Sequence, residues 1–333
     1  MTPQLTDPWQ IGSVQIPNRV ALAPLAGIGN WFVRLQAKRY GAGLAVSEMV
    51  SSFGIHHRND KTVGEMLRIH PEERAAGRGP VSIQLFGQDP DVMRSAAATV
   101  AERGADIIDL NMGCPVPKVC RTGAGAALIK DPDTAVAVAR AAREGSGLPV
   151  TVKLRSGQRP GDTDGYELAH RLVEEAGVSA IGFHPRSAAV HHKGTPDYDL
   201  AARLVASLPA PVILTGGLHT AAEVHAAFER TGAAAVMLAR GAMGNPWLFS
   251  EVLGVRGEAP TAGEVLTELD WVMDRAVEHL GADRAGRYLR KFYPWYVARL
   301  GASKALQEAL QRTSTVDEAR AVLAPFQDLP RAA

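Results

Sequence analysis

The sequence predicts an α/β protein: a (β/α)8 barrel followed by a small helical domain. Three observations predict it. Short apolar, β-branched runs alternate with longer alanine-rich stretches through most of the chain. Polar or reactive residues recur at the C-terminal ends of those runs. Beyond Phe249 the strand-like runs stop and only helical patterning continues. Strand alternating with helix builds a parallel sheet, and repeated right-handed crossovers close it.

The eight runs are residues 20–25, 44–49, 81–86, 107–111, 150–154, 180–184, 212–215 and 234–239. Helix entries are marked between them. Asp89-Pro90 opens a helix ending near Arg103-Gly104, Asp131-Pro132 one ending near Gly145, and Thr220 one ending at Gly232. The polar segment 51–80 reads as a long loop with some helix near the reactive face. An open doubly wound sheet would need a Gly-rich dinucleotide turn after an early strand, and Ala23-Pro24-Leu25-Ala26-Gly27 is not one. In a barrel, Glu48, Gln84, Asn111, Lys153, His184, Thr215 and Arg240 all meet at the C-terminal face, where such folds do chemistry. The tail reads as helices over 262–280, 284–300, 304–311 and 316–326. The expected domains are 1–253, the barrel, and 254–333, the helical unit.

Composition narrows the function classes. Of 333 residues 46% are hydrophobic and 21% charged, which fits a folded protein with a large core. No run approaches the roughly 20 apolar residues of a membrane span, and no signal peptide is visible, so the cytoplasm is the expected location. The two cysteines, Cys114 and Cys120, make no disulfide framework or common zinc pattern, and no metal is expected. The net charge is +1, but its distribution is uneven. Residues 284–312 carry Arg284, Arg287, Arg290, Lys291, Arg299, Lys304 and Arg312 against Glu308 alone. Residues 251–283 are acidic. Solvated helix faces and an RNA-facing patch both fit that segregation.

Three groups of residues point to chemistry. Thr215-Gly216-Gly217 and Ala239-Arg240-Gly241 follow the seventh and eighth runs. Loops in those two places often hold a phosphate, through backbone N–H groups and an added cation. Lys153 is a buried-looking cation that could stabilise a reduced flavin, or equally pair with Glu48. Gln84 and Asn111 could hydrogen-bond ring edge and substrate, and His184 the ring or its phosphate. Cys114 sits in a Gly113-Cys114-Pro115 turn at the reactive face, where a thiol can attack or donate a proton. Cys120 reads as packing.

At these residues the chain resembles the tRNA-dihydrouridine synthase family. The resemblance is carried by 23–27, Ser47-Glu48-Met49, Gln84-Leu85-Phe86-Gly87, Asn111-Met112-Gly113-Cys114-Pro115, 123–128, Val152-Lys153-Leu154-Arg155 and Gly244-Asn245-Pro246-Trp247. The run from Cys114 to Cys120 is most similar to the bacterial B type. The resemblance implies that FMN is held by Pro24, Leu25 and Ala26 under the ring, by Gln84, Lys153 and His184, and by Thr215, Gly216, Gly217, Ala239 and Arg240 at the phosphate. It implies NADPH as reductant, hydride to C6 of a flipped-out uridine in tRNA, and a proton from Cys114 to C5. Substrate contacts are implied at Asn111, Glu48 and Arg186, and at Arg290 and Lys291 in the tail. Thr215-Gly216-Gly217 stands where the family usually has Asn-Gly-Asp, Ala239 where it has Gly, Leu25 where Met is common, and Phe292 where it has His. A flavin barrel reducing a free dihydropyrimidine or dihydroorotate is the enzyme alternative, though the basic tail would then lack a purpose. A tRNA-binding module without turnover is the other, against which Cys114 and Lys153 argue. A monomer is expected.

Overall fold

The computed structural model describes residues 3–326. Its ten strands are β1 (Trp9–Ile11), β2 (Val14–Ile16), β3 (Val20–Leu22), β4 (Leu44–Ser51), β5 (Val81–Phe86), β6 (Ile107–Met112), β7 (Val150–Arg155), β8 (Ala180–His184), β9 (Val212–Thr215) and β10 (Ala235–Leu238). Strands β3 to β10 run parallel in chain order and close β10 against β3, the arrangement of a TIM barrel. The predicted fold class is therefore the observed one, and the eight runs are its eight barrel strands. The first run is shorter than expected: pairing ends at Leu22, because Pro24 has no N–H to continue a ladder.

Helix entries follow the local chemistry. The Asp89 carboxylate accepts the N–H groups of Asp91 and Val92, with Pro90 opening the helix Pro90–Glu102. Asp131 caps the helix Pro132–Ser146, which runs one residue past the predicted Gly145 to a left-handed Gly147. Thr220 and Glu223 form a capping box on the helix Ala221–Thr231.

The antiparallel pair β1 and β2 was not predicted from sequence. Gly12-Ser13 makes its two-residue turn, with Gly12 at φ +56°. Trp9, Ile11 and Ile16 pack in one cluster with Leu44, Ile107, Ala180 and Ala235, the first residues of four barrel strands. The hairpin thus plugs the N-terminal end of the barrel and leaves the C-terminal end for ligands. Segment 51–80 contains the short helix Ser52–His56, a π-helical turn at Thr62–Met66 and a 3-10 turn at Pro71–Arg74. A fully buried Arg34–Glu73 ion pair of 2.8 Å holds it, and the Lys38 ammonium donates to the carbonyls of Glu73 and Gly79.

The chain divides into two compact units, Met1–Arg240 and Gly241–Ala333. The second unit is helical: Trp247–Val252, Ala262–Leu280, Ala282–Leu289, Tyr293–Arg299, Lys304–Arg312 and Val316–Leu323. The helix expected over 284–300 is two helices, interrupted at 290–292. Pro294 lies in the first turn of the second, where its missing N–H costs nothing, and its ring disfavours helix before it. Residues 324–326 form a 3-10 turn around Pro325 rather than a last turn of α-helix. Four acids of the acidic segment are paired within this unit: Glu264 with Arg256, Glu278 with Arg275, and Asp270 and Asp274 with Arg320.

Candidate active site

Inward-facing side chains alternate along each strand, so residues two apart share the barrel interior. Gln84 on β5, Asp109 on β6 and Thr151 on β7 are in register and form one interior row. Asn111 and Lys153, also in register, form the next row toward the C-terminal face. Above them opens a cavity of about 310 Å³. Pro24, Leu25, Ala26, Gln84, Asn111, Cys114, Lys153, His184, Thr215, Gly216, Gly217, Ala239 and Arg240 all line it. Met49, Arg155, His191, His192 and His219 line it as well and were not singled out from sequence.

The Cys114 turn is held from below. Asn111 Oδ1 accepts the N–H groups of Gly113 (3.2 Å) and Cys114 (2.9 Å). Asn111 Nδ2 donates to Gln84 Oε1 at 2.9 Å, and Gln84 Nε2 donates to Asp109 at 2.6 Å. The turn is also held from the side, where Arg155 Nε donates to the Gly113 carbonyl at 2.9 Å. The same guanidinium donates through Nη1 to the carbonyls of Ser187 and His191, joining the loops after β6 and β8. His191 has a left-handed backbone, φ +53°, an uncommon state for a non-glycine residue. Cys120, on the short helix Pro117–Cys120, points its thiol at the Cys114 carbonyl, 3.2 Å away.

The cavity is strongly cationic. Burial lowers Lys153 to about 8, helped by Arg155 and opposed by Asp109. Among the described residues no protein group hydrogen-bonds the Lys153 ammonium. Burial lowers Arg155 to about 10 and His192 to about 4, and pushes His184 far below its ordinary value with help from Lys153, Arg155 and Arg186. Burial raises Asp109 to about 6. The Cys114 thiol is raised by burial, against the Val116 backbone N–H, so it stays protonated at neutral pH. At neutral pH, Lys153 and Arg155 therefore keep their charge, while His184, His192 and the Cys114 thiol are neutral.

At the β9 end the backbone is shaped by glycine. Gly216 and Gly217 have φ of +102° and +79°. A methyl group at Gly216 would overlap the His184 imidazole, and one at Gly217 would lie 2.7 Å from Tyr198 Oη. Two positive φ values in a row are a backbone that glycine adopts readily and other residues do not, and both residues line the cavity.

Some expected site residues lie elsewhere. Glu48 does not line the cavity; its carboxylate accepts the Gly27 N–H at 2.9 Å, and the alternative Glu48–Lys153 salt bridge is absent among the described residues. The negative charge nearest in effect to Lys153 is Asp109. Arg186 stands behind the cavity, donating to the Gly194 carbonyl and lying 3.2 Å from His184 Nε2. In the helical unit, Arg290 Nε and Nη2 both donate to the Thr313 carbonyl, at 3.0 and 2.7 Å. Lys291 is exposed, its ammonium 4.6 Å from the centre of the Tyr288 ring. Asp109, beneath the cavity, and Arg155, in its wall, bond the residues around the Cys114 turn and were not singled out from sequence. The signal was available: each is two residues along a strand from a residue already chosen, on the same face.

Comparison with known proteins bears on what such a site is for. The family model described as dihydrouridine synthase (Dus) matches residues 21–333. The chain is similar to tRNA-dihydrouridine synthase B of Xanthomonas axonopodis pv. citri, 33% identical over 328 residues that cover 96% of each protein. It is also similar to a probable tRNA-dihydrouridine synthase 1 of Synechocystis, at 34% identity over 95% of this chain and 88% of that protein. Among solved structures, morphinone reductase in complex with tetrahydroNAD superposes with a TM-score of 0.57 at 18% identity, covering 78% of this chain and 93% of that one. A 2-naphthoyl-CoA reductase complex reaches 0.61 at 13%, covering 77% and 53%. Those two likenesses are of fold, whereas the sequence match runs through the Asn111–Cys114 turn and the helical unit alike: the chain belongs to the dihydrouridine synthase family.

Proposed function

We propose that this protein reduces uridine in tRNA to 5,6-dihydrouridine, with FMN as its bound cofactor and NADPH as reductant. One observation carries the reading. A neutral thiol, Cys114, is held on a side-chain-capped turn at a cationic cavity on the C-terminal face of a barrel. Relatives named as tRNA-dihydrouridine synthases over nearly the whole chain support it.

The residues present fit FMN. The Lys153 ammonium has no protein hydrogen-bond partner among the described residues and lines the cavity, and the Gly216-Gly217 backbone and Arg240 supply donors suited to a phosphate. Pro24, Leu25 and Ala26 would lie against the ring, with Gln84 and His184 at its polar edges, and Thr215 and Ala239 flanking the phosphate. Bound FMN would supply the hydride for C6 of the base, replenished by NADPH. The remaining work falls to the chain. Hydride at C6 leaves C5 electron-rich, and the Cys114 thiol gives its proton there. Lys153 would hold positive charge beside the reduced cofactor. Asn111 holds the thiol's turn, and Arg155 keeps the loops after β6 and β8 together. A stacked base hides both faces, so the uridine must leave its stack to enter. The helical unit, residues 254–333 with the exposed Lys291, would hold the RNA backbone. In this reading the protein acts as a monomer, and its substrate puts it in the cytoplasm.

The test is nucleoside mass spectrometry. Flavin-loaded protein with NADPH and an unmodified tRNA transcript should form dihydrouridine, while free uridine and dihydroorotate should not turn over. Cys114→Ala should lose about 10²-fold or more in product formation, the size of a general-acid effect. It should keep FMN, NADPH oxidation and tRNA binding. A colourless protein that cannot take up FMN, or turnover confined to a free small molecule, would overturn the reading.

A further inference from the structure

Asp109 is a carboxylate in the interior of the barrel, in the run Ile107-Ile108-Asp109-Leu110, and the proposed chemistry does not use it. It is 3% exposed. Thr151 Oγ1 donates to one of its oxygens at 2.5 Å and Gln84 Nε2 to the other at 2.6 Å. A carboxylate only accepts, whereas an amide can present either end. Asp109 therefore decides how Gln84 lies: Nε2 faces the carboxylate and Oε1 faces outward. Gln84 Oε1 then accepts Asn111 Nδ2 at 2.9 Å, which turns Asn111 Oδ1 toward the Gly113 and Cys114 N–H groups. Every bond in the series has one direction, fixed at one end by the carboxylate, which only accepts, and at the other by two backbone N–H groups, which only donate. With either amide reversed, donor would face donor and the Cys114 turn would lose its acceptor.

We propose that Asp109 is a positioning residue, whose carboxylate orients Gln84 and Asn111 and through them fixes the turn that carries Cys114. This rests on the proton-donor role proposed for Cys114. The proton must reach C5 from a fixed direction, so a turn free to reorient delivers it poorly.

An exchange of atoms tests the direction of the chain without changing its shape. Asp109→Asn is isosteric but presents a donor as readily as an acceptor, so the direction is no longer imposed from the barrel interior and rests on the Gly113 and Cys114 N–H groups alone. Protein bearing it, loaded with FMN and pre-reduced, should form dihydrouridine in a single turnover at least ten-fold more slowly per bound FMN. The rate of flavin reduction by NADPH should stay within two-fold. Alkylation of Cys114 by iodoacetamide, followed by peptide mass spectrometry, should speed up several-fold, with Cys120 unchanged. The double variant Asp109→Asn/Gln84→Glu restores the direction, because the amide at position 109 then donates to a carboxylate at position 84 that still accepts from Asn111. It should recover most of both losses. Wild-type turnover and alkylation in Asp109→Asn would overturn the proposal. So would an impaired single variant that the double variant, which keeps one carboxylate in the pair, fails to rescue. The alkylation contrast needs no RNA, so it decides on the chain even if the wild-type protein makes no dihydrouridine.

Discussion

The Lys153 ammonium and the Asp109 carboxylate, on neighbouring strands, are each pushed by burial toward their neutral forms. Asp109 is ionised only above about pH 6 and Lys153 charged only below about pH 8. The charged groups acting on them are each other, with Arg155 and Cys114 also acting on Lys153. Cys114 is raised above its ordinary 9.0 and stays a thiol across the window. The single-turnover rate of base reduction should therefore rise through about pH 6 and fall through about pH 8, and Asp109→Asn should remove the acid limb. Stability should run the other way. A carboxyl group whose folded pKa is raised favours the folded state when protonated, and that contribution is lost as pH rises through the folded value. The shift from 3.8 to about 6 corresponds to about 3 kcal/mol lost above pH 6. Asp109→Asn should thus resist urea better than wild type at pH 7.5, with the gain shrinking at pH 5. Lower stability at pH 7.5 would show that its hydrogen bonds outweigh the desolvation. The two cysteines divide similarly: Cys120→Ala should cost little turnover beyond a packing loss, because its thiol only donates to a carbonyl.

Within the helical unit, the interruption at 290–292 sets the role of its cations. Arg290 closes the gap between helices by donating twice to the Thr313 carbonyl, while Gln311 Nε2 returns a bond to the Arg290 carbonyl. Arg290→Ala should then destabilise this unit by about 1.5–3 kcal/mol, the range for hydrogen bonds to a charged group. Lys291 is exposed, as are Arg287 and Lys304. Lys291→Ala should cost less stability, about 0.5–1 kcal/mol for the lost cation–π contact with Tyr288, and reduce the salt dependence of tRNA binding by about one counterion. Equal melting temperatures for the two variants would return Arg290 to the expected phosphate contact. At the β9 loop the backbone itself is constrained: Gly216→Ala sets a methyl group against His184 at φ +102°, and should cost FMN affinity while Cys114 alkylation stays as in wild type.

Across the chain, the sequence by itself determined the eight strands, the tail helices and most of the cavity lining. Alternation of side chains and capping residues such as Asp89, Asp131 and Thr220 are local signals, fixed within a few residues. Cys114 and Lys153 were legible for the same reason, since each falls at a strand end and strand ends converge in a closed barrel. The hairpin β1–β2 was not legible, because three-residue strands carry too little periodicity and are stabilised by the barrel floor they cover. Only the tertiary structure decided which partners the polar residues take. It gave Lys153 the field of Asp109 rather than of Glu48, gave Arg290 the Thr313 carbonyl, and joined Gln84, Asn111 and Cys114 into one directed chain. Three of these pairings join distant residues, 23 positions apart for Arg290–Thr313, 27 for Asn111–Gln84 and 44 for Lys153–Asp109. Strand register sets the pairings in the barrel and the packing of helices sets the one in the tail, and no local window of sequence contains both partners.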